Sequence, residues 1–140
     1  MRLLDGVVVR VLPLVPRSLV RRVAARYIAG ETLDDARRQV AELNAVGKAA
    51  TVDVLGEEVR TPDEARAIAT AYHDVLATIE TERLDANVSV KLTGLGLRVD
   101  PDLCSALLGA LVADAAERGT FVRIDMEDSG TTDATLELYR

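Results

Sequence analysis

Val88-Ser89-Val90-Lys91-Leu92-Thr93-Gly94-Leu95-Gly96 is the stretch on which the reading of this 140-residue sequence turns. Val88 to Leu92 is a short apolar run rich in β-branched residues, which predicts a buried strand. Lys91, near its carboxyl end, is a charge in apolar surroundings, costly unless it is paired or poised against a ligand. The glycines that follow lack the third glycine of a dinucleotide fingerprint and sit after the second strand, so a Rossmann reading is rejected. Downstream, Asp100-Pro101 caps and opens a helix with Leu103, Leu107, Ala110, Leu111 and Ala115 inward, and Gly119 ends it. Phe121 to Met126 reads as a third strand, and a further helix begins at Thr131. Upstream, Thr61-Pro62-Asp63-Glu64 supplies an N-cap, a proline at the first helical position and a capping-box acid. That helix carries Ala65, Ile68, Ala69, Tyr72, Leu76 and Ile79 at helical spacing, and Ala49 to Leu55 before it is the first strand. Three strand–helix units in succession imply right-handed crossovers and a parallel sheet. Periodicity alone leaves open whether that sheet is an open doubly wound one or part of a closed barrel.

Ahead of these units the pattern is helical. Arg17 to Ile28 places Leu19, Val20, Val23, Ala24, Tyr27 and Ile28 on one face, closed by Gly30. A second helix starts at Thr32, whose spacing to Asp35 resembles a capping box; its stripe is Leu33, Ala36, Val40 and Leu43, and Gly47 stops it. Residues 1–47 are thus an N-terminal helical segment and residues 48–140 the β/α units. Gly6 to Val15 is apolar, but Arg10, Pro13 and Pro16 interrupt it; it is too short to span a bilayer and reads as a docking segment rather than a signal peptide. Thr135 to Arg140 runs as helix with no glycine stop. Three units leave two sheet edges unpaired, and a full barrel takes about 250 residues, so a truncated chain is expected.

Composition narrows the function classes. The chain is 49% hydrophobic with 3% aromatics, so its core is built from Val, Leu, Ile and Ala. Seventeen Lys and Arg against 23 Asp and Glu give a net charge of −6, which argues against a nucleic-acid partner despite the cluster Arg17, Arg21, Arg22 and Arg26. Cys104 is alone, which excludes an intrachain disulfide and favours a reducing, cytoplasmic compartment.

In parallel α/β folds ligands gather at the carboxyl ends of the strands. The three strands deliver Asp53 followed by Gly56-Glu57-Glu58, then Lys91-Leu92-Thr93, then Asp125-Met126-Glu127-Asp128. A carboxylate, an ammonium and another carboxylate converge on one rim. Plainer readings stand beside this one. Lys91 would simply pair with Asp125 across neighbouring strands, and Glu127 and Asp128 would cap the next helix. Glu57 would be a solvated loop acid and Met126 core filling. His73 is the only histidine and lies mid-helix, so no metal set or Ser-His arrangement is expected. Cys104 reads as inert packing.

Asp53-Val54-Leu55-Gly56-Glu57, Ser89-Val90-Lys91-Leu92-Thr93 and Arg123-Ile124-Asp125-Met126-Glu127-Asp128 resemble, in order and spacing, three successive strand-end motifs of the proline dehydrogenases. Ala29-Gly30-Glu31-Thr32 also resembles bacterial monofunctional members of that family. The resemblance implies an α/β fold: a partial (β/α)8 TIM barrel of about three β/α units preceded by two N-terminal α-helices. It implies FAD as cofactor and oxidation of L-proline to Δ1-pyrroline-5-carboxylate, with hydride passing to the flavin. Lys91 would hold the proline carboxylate, and Asp125 would be an active-site acid orienting Lys91. Met126 would line the flavin, and Glu57 would be a lid residue pairing with an arginine of a late barrel helix. A membrane quinone is the implied electron acceptor, which would place the protein peripherally at the inner face of the membrane; Arg17 to Arg26 would then be a surface contact, against the plainer and favoured reading of a solvated helix face. Two rivals from other classes are an inert or oligomer-forming remnant and a Schiff-base aldolase-type barrel using Lys91.

Overall fold

The computed structural model describes residue 30 and residues 32–140. The predicted helix over 17–28, the docking segment over 6–15 and the early arginine cluster lie outside the described residues. The elements are α1 (Leu33–Ala45), β1 (Ala50–Asp53), α2 (Pro62–Thr81), β2 (Ala86–Lys91), α3 (Pro101–Glu117), β3 (Val122–Asp125) and α4 (Thr132–Tyr139). Contacts divide the chain after Ala36, and residues 37–140 form the compact body that carries the sheet.

The start signals act as local chemistry requires. Ahead of α1, the Thr32 hydroxyl accepts from the Asp35 amide at 3.2 Å and donates to Asp35 Oδ2 at 2.8 Å. At α2, Thr61 Oγ1 accepts from Glu64 N while Glu64 Oε2 accepts from Thr61 N at 3.2 Å and from Arg60 N at 2.7 Å. These bonds, the one from Arg60 first, hold the Glu64 carboxyl below its usual range. Asp100 caps α3 through Leu103 N at 3.0 Å. Gly47 and Gly119 follow α1 and α3 with φ of 75° and 71°, the left-handed turn predicted for each. One connection has no sequence signal. The Asn44 amide donates to the carbonyls of Lys48 and Asp85 and accepts from Asp85 N at 2.8 Å, fastening the end of α1 to the start of β2.

The three strands are parallel in the order β1-β2-β3, with Asp53 opposite Ser89 and Lys91 opposite Asp125. Each strand therefore pairs with the one that follows it, and the order never reverses. Expectation and structure differ over burial. The apolar run Val88 to Leu92 predicts a buried strand, but only one face of the sheet is buried. Val88, Val90 and Leu92 are fully buried against Tyr72, Leu76, Leu108 and Leu111 of α2 and α3, with Val52, Val122 and Ile124 packed alongside. The other face presents Thr51, Asp53, Asn87, Ser89, Lys91, Arg123 and Asp125, of which Thr51, Asp53, Arg123 and Asp125 are exposed. The period-two alternation Thr51-Val52-Asp53-Val54 accounts for this directly.

The stripe on α3 is also rotated from the expected one. Cys104, Leu108, Leu111 and Ala115 are buried, whereas Leu103 and Leu107 are partly buried and Ala110 is exposed. Apolar residues occur on several faces of this helix, so spacing alone did not select the inward one.

Candidate active site at the strand ends

Lys91 is the last residue of β2, on the polar face, and its side chain is 22% exposed. Its Nζ lies 2.7 Å from Asp53 Oδ2, 3.3 Å from Glu57 Oε1 and 3.5 Å from Asp125 Oδ2. Register alone would favour Asp125, directly opposite, yet the shortest contact runs to Asp53, which opposes Ser89. One ammonium is thus ringed by three carboxyl groups, Asp53 and Glu57 from the end of β1 and its loop and Asp125 from the end of β3. The Asp53 bond first, and Glu57 after it, hold the Lys91 ammonium above its ordinary range against the opposing pull of partial burial.

Asp53 is itself held from behind. Tyr72 is 1% exposed in the core. Its hydroxyl lies 2.7 Å from Asp53 Oδ1 and 2.8 Å from the Ser89 carbonyl, and it accepts from Val54 N at 3.2 Å. Burial, then the neighbouring Asp53 carboxyl, pushes the phenol well above its ordinary range, so Tyr72 stays a protonated donor.

The loop after β2 is a rigid wall. Thr93 is 2% exposed, and both its amide, at 3.0 Å, and its hydroxyl donate to the Glu127 carboxylate. Gly94 is needed for close approach: a Cβ there would meet the Gly56 carbonyl oxygen at 3.0 Å and the Lys91 carbonyl oxygen at 3.2 Å. The glycines after Lys91 thus let the loops behind β1 and β2 touch, a packing role rather than a phosphate cradle. Farther out, Arg98 pairs with Asp128 after β3 and with Glu58 after β1 at 3.6 Å, spanning the loops on either side.

Of the residues singled out from sequence, Lys91, Asp125 and Glu57 come together. Met126 stands apart, 50% exposed, in an open apolar groove of about 460 Å³ between β3 and α4 that Phe121, Ile124, Leu136 and Tyr139 also line. Glu127 and Asp128 do not cap α4 as expected. Glu127 is turned back onto Thr93, Asp128 Oδ1 accepts from Gly130 N at 2.8 Å, and Thr131 at the N-cap makes no side-chain cap bond. Tyr72, Thr93 and Arg98 were missed as parts of the site. Tyr72 had a legible signal, because a buried tyrosine in an apolar stripe needs a partner for its hydroxyl. Cys104 is buried in the core, and burial pushes its thiol up to about 11. The three carboxyl groups around Lys91 Nζ favour its charged form, which weighs against the Schiff-base alternative, whose nucleophile is a neutral amine.

The chain is similar to known proteins. The proline dehydrogenase family model matches residues 36–140, most of the chain. Proline dehydrogenase 1 of Bacillus subtilis subsp. natto is 36% identical over 117 residues, covering 84% of this chain and 39% of its own length. The proline dehydrogenase of Deinococcus radiodurans is 31% identical over 127 residues, covering 89% of this chain and 41% of its own. The chain therefore spans about two fifths of the length of these curated relatives. Among solved structures, proline utilization A from Bdellovibrio bacteriovorus, inactivated by N-propargylglycine, superposes with a TM-score of 0.72 at 24% identity over 80% of this chain and 14% of that one. With the family model matching well over half its residues, the chain belongs to the proline dehydrogenase family.

Proposed function

We propose that this chain carries the first three β/α units of a (β/α)8 barrel that oxidises L-proline to Δ1-pyrroline-5-carboxylate with FAD. The observation that carries the reading is the placement of Lys91 Nζ at the carboxyl end of β2, on the polar sheet face, with Asp53, Glu57 and Asp125 around it. In a closed barrel of parallel strands that face is the interior, and the strand ends form the ligand-binding mouth. The order β1-β2-β3 is shared by a barrel sector and by the first half of a doubly wound sheet, and it is the superposition on proline utilization A that supports the barrel.

Lys91 would bind the carboxylate of proline, exchanging its contact to Glu57 or Asp125 for a charge-assisted bond to the substrate. Asp53 would keep the ammonium aimed into the mouth, and Asp125 would bound the side facing β3. Glu57, 52% exposed on its loop, would act as the lid residue that leaves Lys91 as substrate enters. On this polar face Asn87 Oδ1 is buried without a hydrogen-bond partner among the described residues, a polar atom a bound flavin would satisfy, whereas Met126, which the resemblance assigns to the flavin, opens into the groove beside α4. The flavin, when bound, accepts the hydride; the protein's part is to orient the ring and exclude water.

No described helix is long and apolar enough to cross a membrane. A membrane quinone as acceptor would therefore be met at a surface rather than within a span of these residues.

The test is a chimera in which residues 36–140 replace the matching segment of the Bacillus subtilis proline dehydrogenase. Proline should bleach the visible flavin band, and Lys91→Met should weaken proline binding by about 10- to 100-fold, the worth of one hydrogen bond to a charged group. A chimera that folds and holds flavin but is indifferent to Lys91→Met would refute the role of Lys91.

A further inference from the structure

We propose that Tyr72 is the positioning residue of this rim, its hydroxyl opening the β1/β2 ladder and locking Asp53 in the orientation that aims Lys91. The inference deepens the reading above and rests on it for the meaning of Lys91, but its geometry is independent of flavin and proline.

The register places Val52 opposite Val88 and Asp53 opposite Ser89. In a parallel ladder the next rung would run from the Val54 amide to the Ser89 carbonyl. The Tyr72 hydroxyl occupies that rung instead, accepting from Val54 N at 3.2 Å and lying 2.8 Å from Ser89 O. Its oxygen serves the amide, and its single proton faces two acceptors, the Ser89 carbonyl and Asp53 Oδ1 at 2.7 Å. A bond to a carboxylate is the stronger of the two, so the proton goes to Asp53. Asp53 Oδ1 is then committed to Tyr72 and Oδ2 to Lys91 at 2.7 Å. With each oxygen held by a different partner, neither the carboxyl plane nor its rotamer is free to turn. This explains why the shortest contact of Lys91 runs to Asp53 and not to Asp125, which the register places opposite. A tyrosine on a core helix therefore sets the direction of an ammonium it never touches.

The sequence supplies a built-in reporter. Its two lysines are Lys91 and the exposed Lys48. Competitive acylation of the intact chain at neutral pH, read by mass spectrometry, gives Lys91 reactivity relative to Lys48 without cofactor or substrate. Tyr72→Phe removes only the hydroxyl, and the Lys91/Lys48 ratio should rise about three- to tenfold as Asp53 loses its anchor. Ile79→Val, a mild core change on the same helix away from the rim, should leave the ratio unchanged, which separates positioning from general loosening. An unchanged ratio in folded Tyr72→Phe overturns the proposal. Should that variant not fold, 3-fluorotyrosine incorporation keeps the hydroxyl, and Lys91→Met should shift the Tyr72 fluorine resonance through Asp53; an unmoved resonance overturns the proposal equally. Failure of the chimera to use proline would leave both readouts standing, so the two readings fail separately.

Discussion

Removing the Glu127 carboxylate should unfasten the loop behind β2 from the end of β3. Thr93 is 2% exposed, and both its amide and its hydroxyl donate to this one side chain. In Glu127→Ala two buried donors lose their acceptor, and each costs about 1–3 kcal/mol when left unsatisfied. Part of that is offset because a half-buried carboxylate no longer has to be desolvated. A net loss of about 2–4 kcal/mol is expected, a large share of the roughly 5–15 kcal/mol by which a domain is stable. Thr93→Val removes the hydroxyl alone and should cost about 1–2 kcal/mol. The double variant should be more stable than the sum of the singles implies, by about 1–2 kcal/mol, because a missing bond cannot be lost twice. Urea unfolding followed by far-ultraviolet circular dichroism gives all four corners of the cycle, provided the slope is constant. A Glu127→Ala midpoint indistinguishable from the parent, or strict additivity with Thr93→Val, would show that the loop is held by something else.

Gly94→Ala should destabilise by about 1–3 kcal/mol, because the new Cβ meets backbone oxygen on two sides and neither can give way. Gly109→Ala, with nothing within 4 Å of its Cβ and a place inside α3, should instead stabilise by about 0.4–1 kcal/mol, and the same denaturation assay reads both. The Asp114 carboxyl is held below its ordinary range, first by its 2.6 Å bond to His73 and then by Arg118. Its folded value lies below its unfolded one, so its contribution is present above the ordinary carboxylate range and lost as pH falls through the folded value. Asp114→Asn should therefore lower the neutral unfolding midpoint while flattening its decline in acid. Cys104, buried with its thiol pushed up to about 11, should be alkylated at neutral pH only as fast as the core opens, so mild denaturant must accelerate the reaction. Rapid alkylation of the native chain would contradict that burial.

The parts legible in the sequence were those written in local chemistry. Thr61 with Glu64, Asp100 before Pro101, and Gly47 and Gly119 act through neighbours three or four positions away, and the helix limits followed from them. The gathering of Lys91 with Asp53 and Asp125 was legible too, because a parallel sheet puts strand ends on one side, whereas the contact of the loop residue Glu57 with Lys91 was not. What escaped was set by packing across elements. Asn44 reaching Asp85, Glu127 turning back to Thr93 and Tyr72 entering the ladder each join residues 18 to 41 positions apart. Their residue types fit a cap, a loop acid and a core aromatic equally well. The rotated face of α3 escaped for a different reason: periodicity is silent when several faces are apolar.

The charges around Lys91 bear on the proposed substrate more sharply than the motifs do. One ammonium faces three carboxyl groups, so the described rim carries more acid than base. A proline carboxylate entering it would meet one cation already committed to Asp53 at 2.7 Å and repulsion from Glu57 and Asp125. Binding that anion tightly requires cations beyond Lys91, and among the described residues the candidate on the same face is Arg123, opposite Ser89. By the resemblance, further arginines would come from a late barrel helix, outside the three β/α units of this chain. Read this way, the Glu57–Lys91 contact stands where the proposed Glu57–arginine lid pair and the Lys91–substrate pair would replace it together. The proposed exchange turns one ion pair into two, which is a physical reason for lid closure and substrate binding to be coupled at this rim.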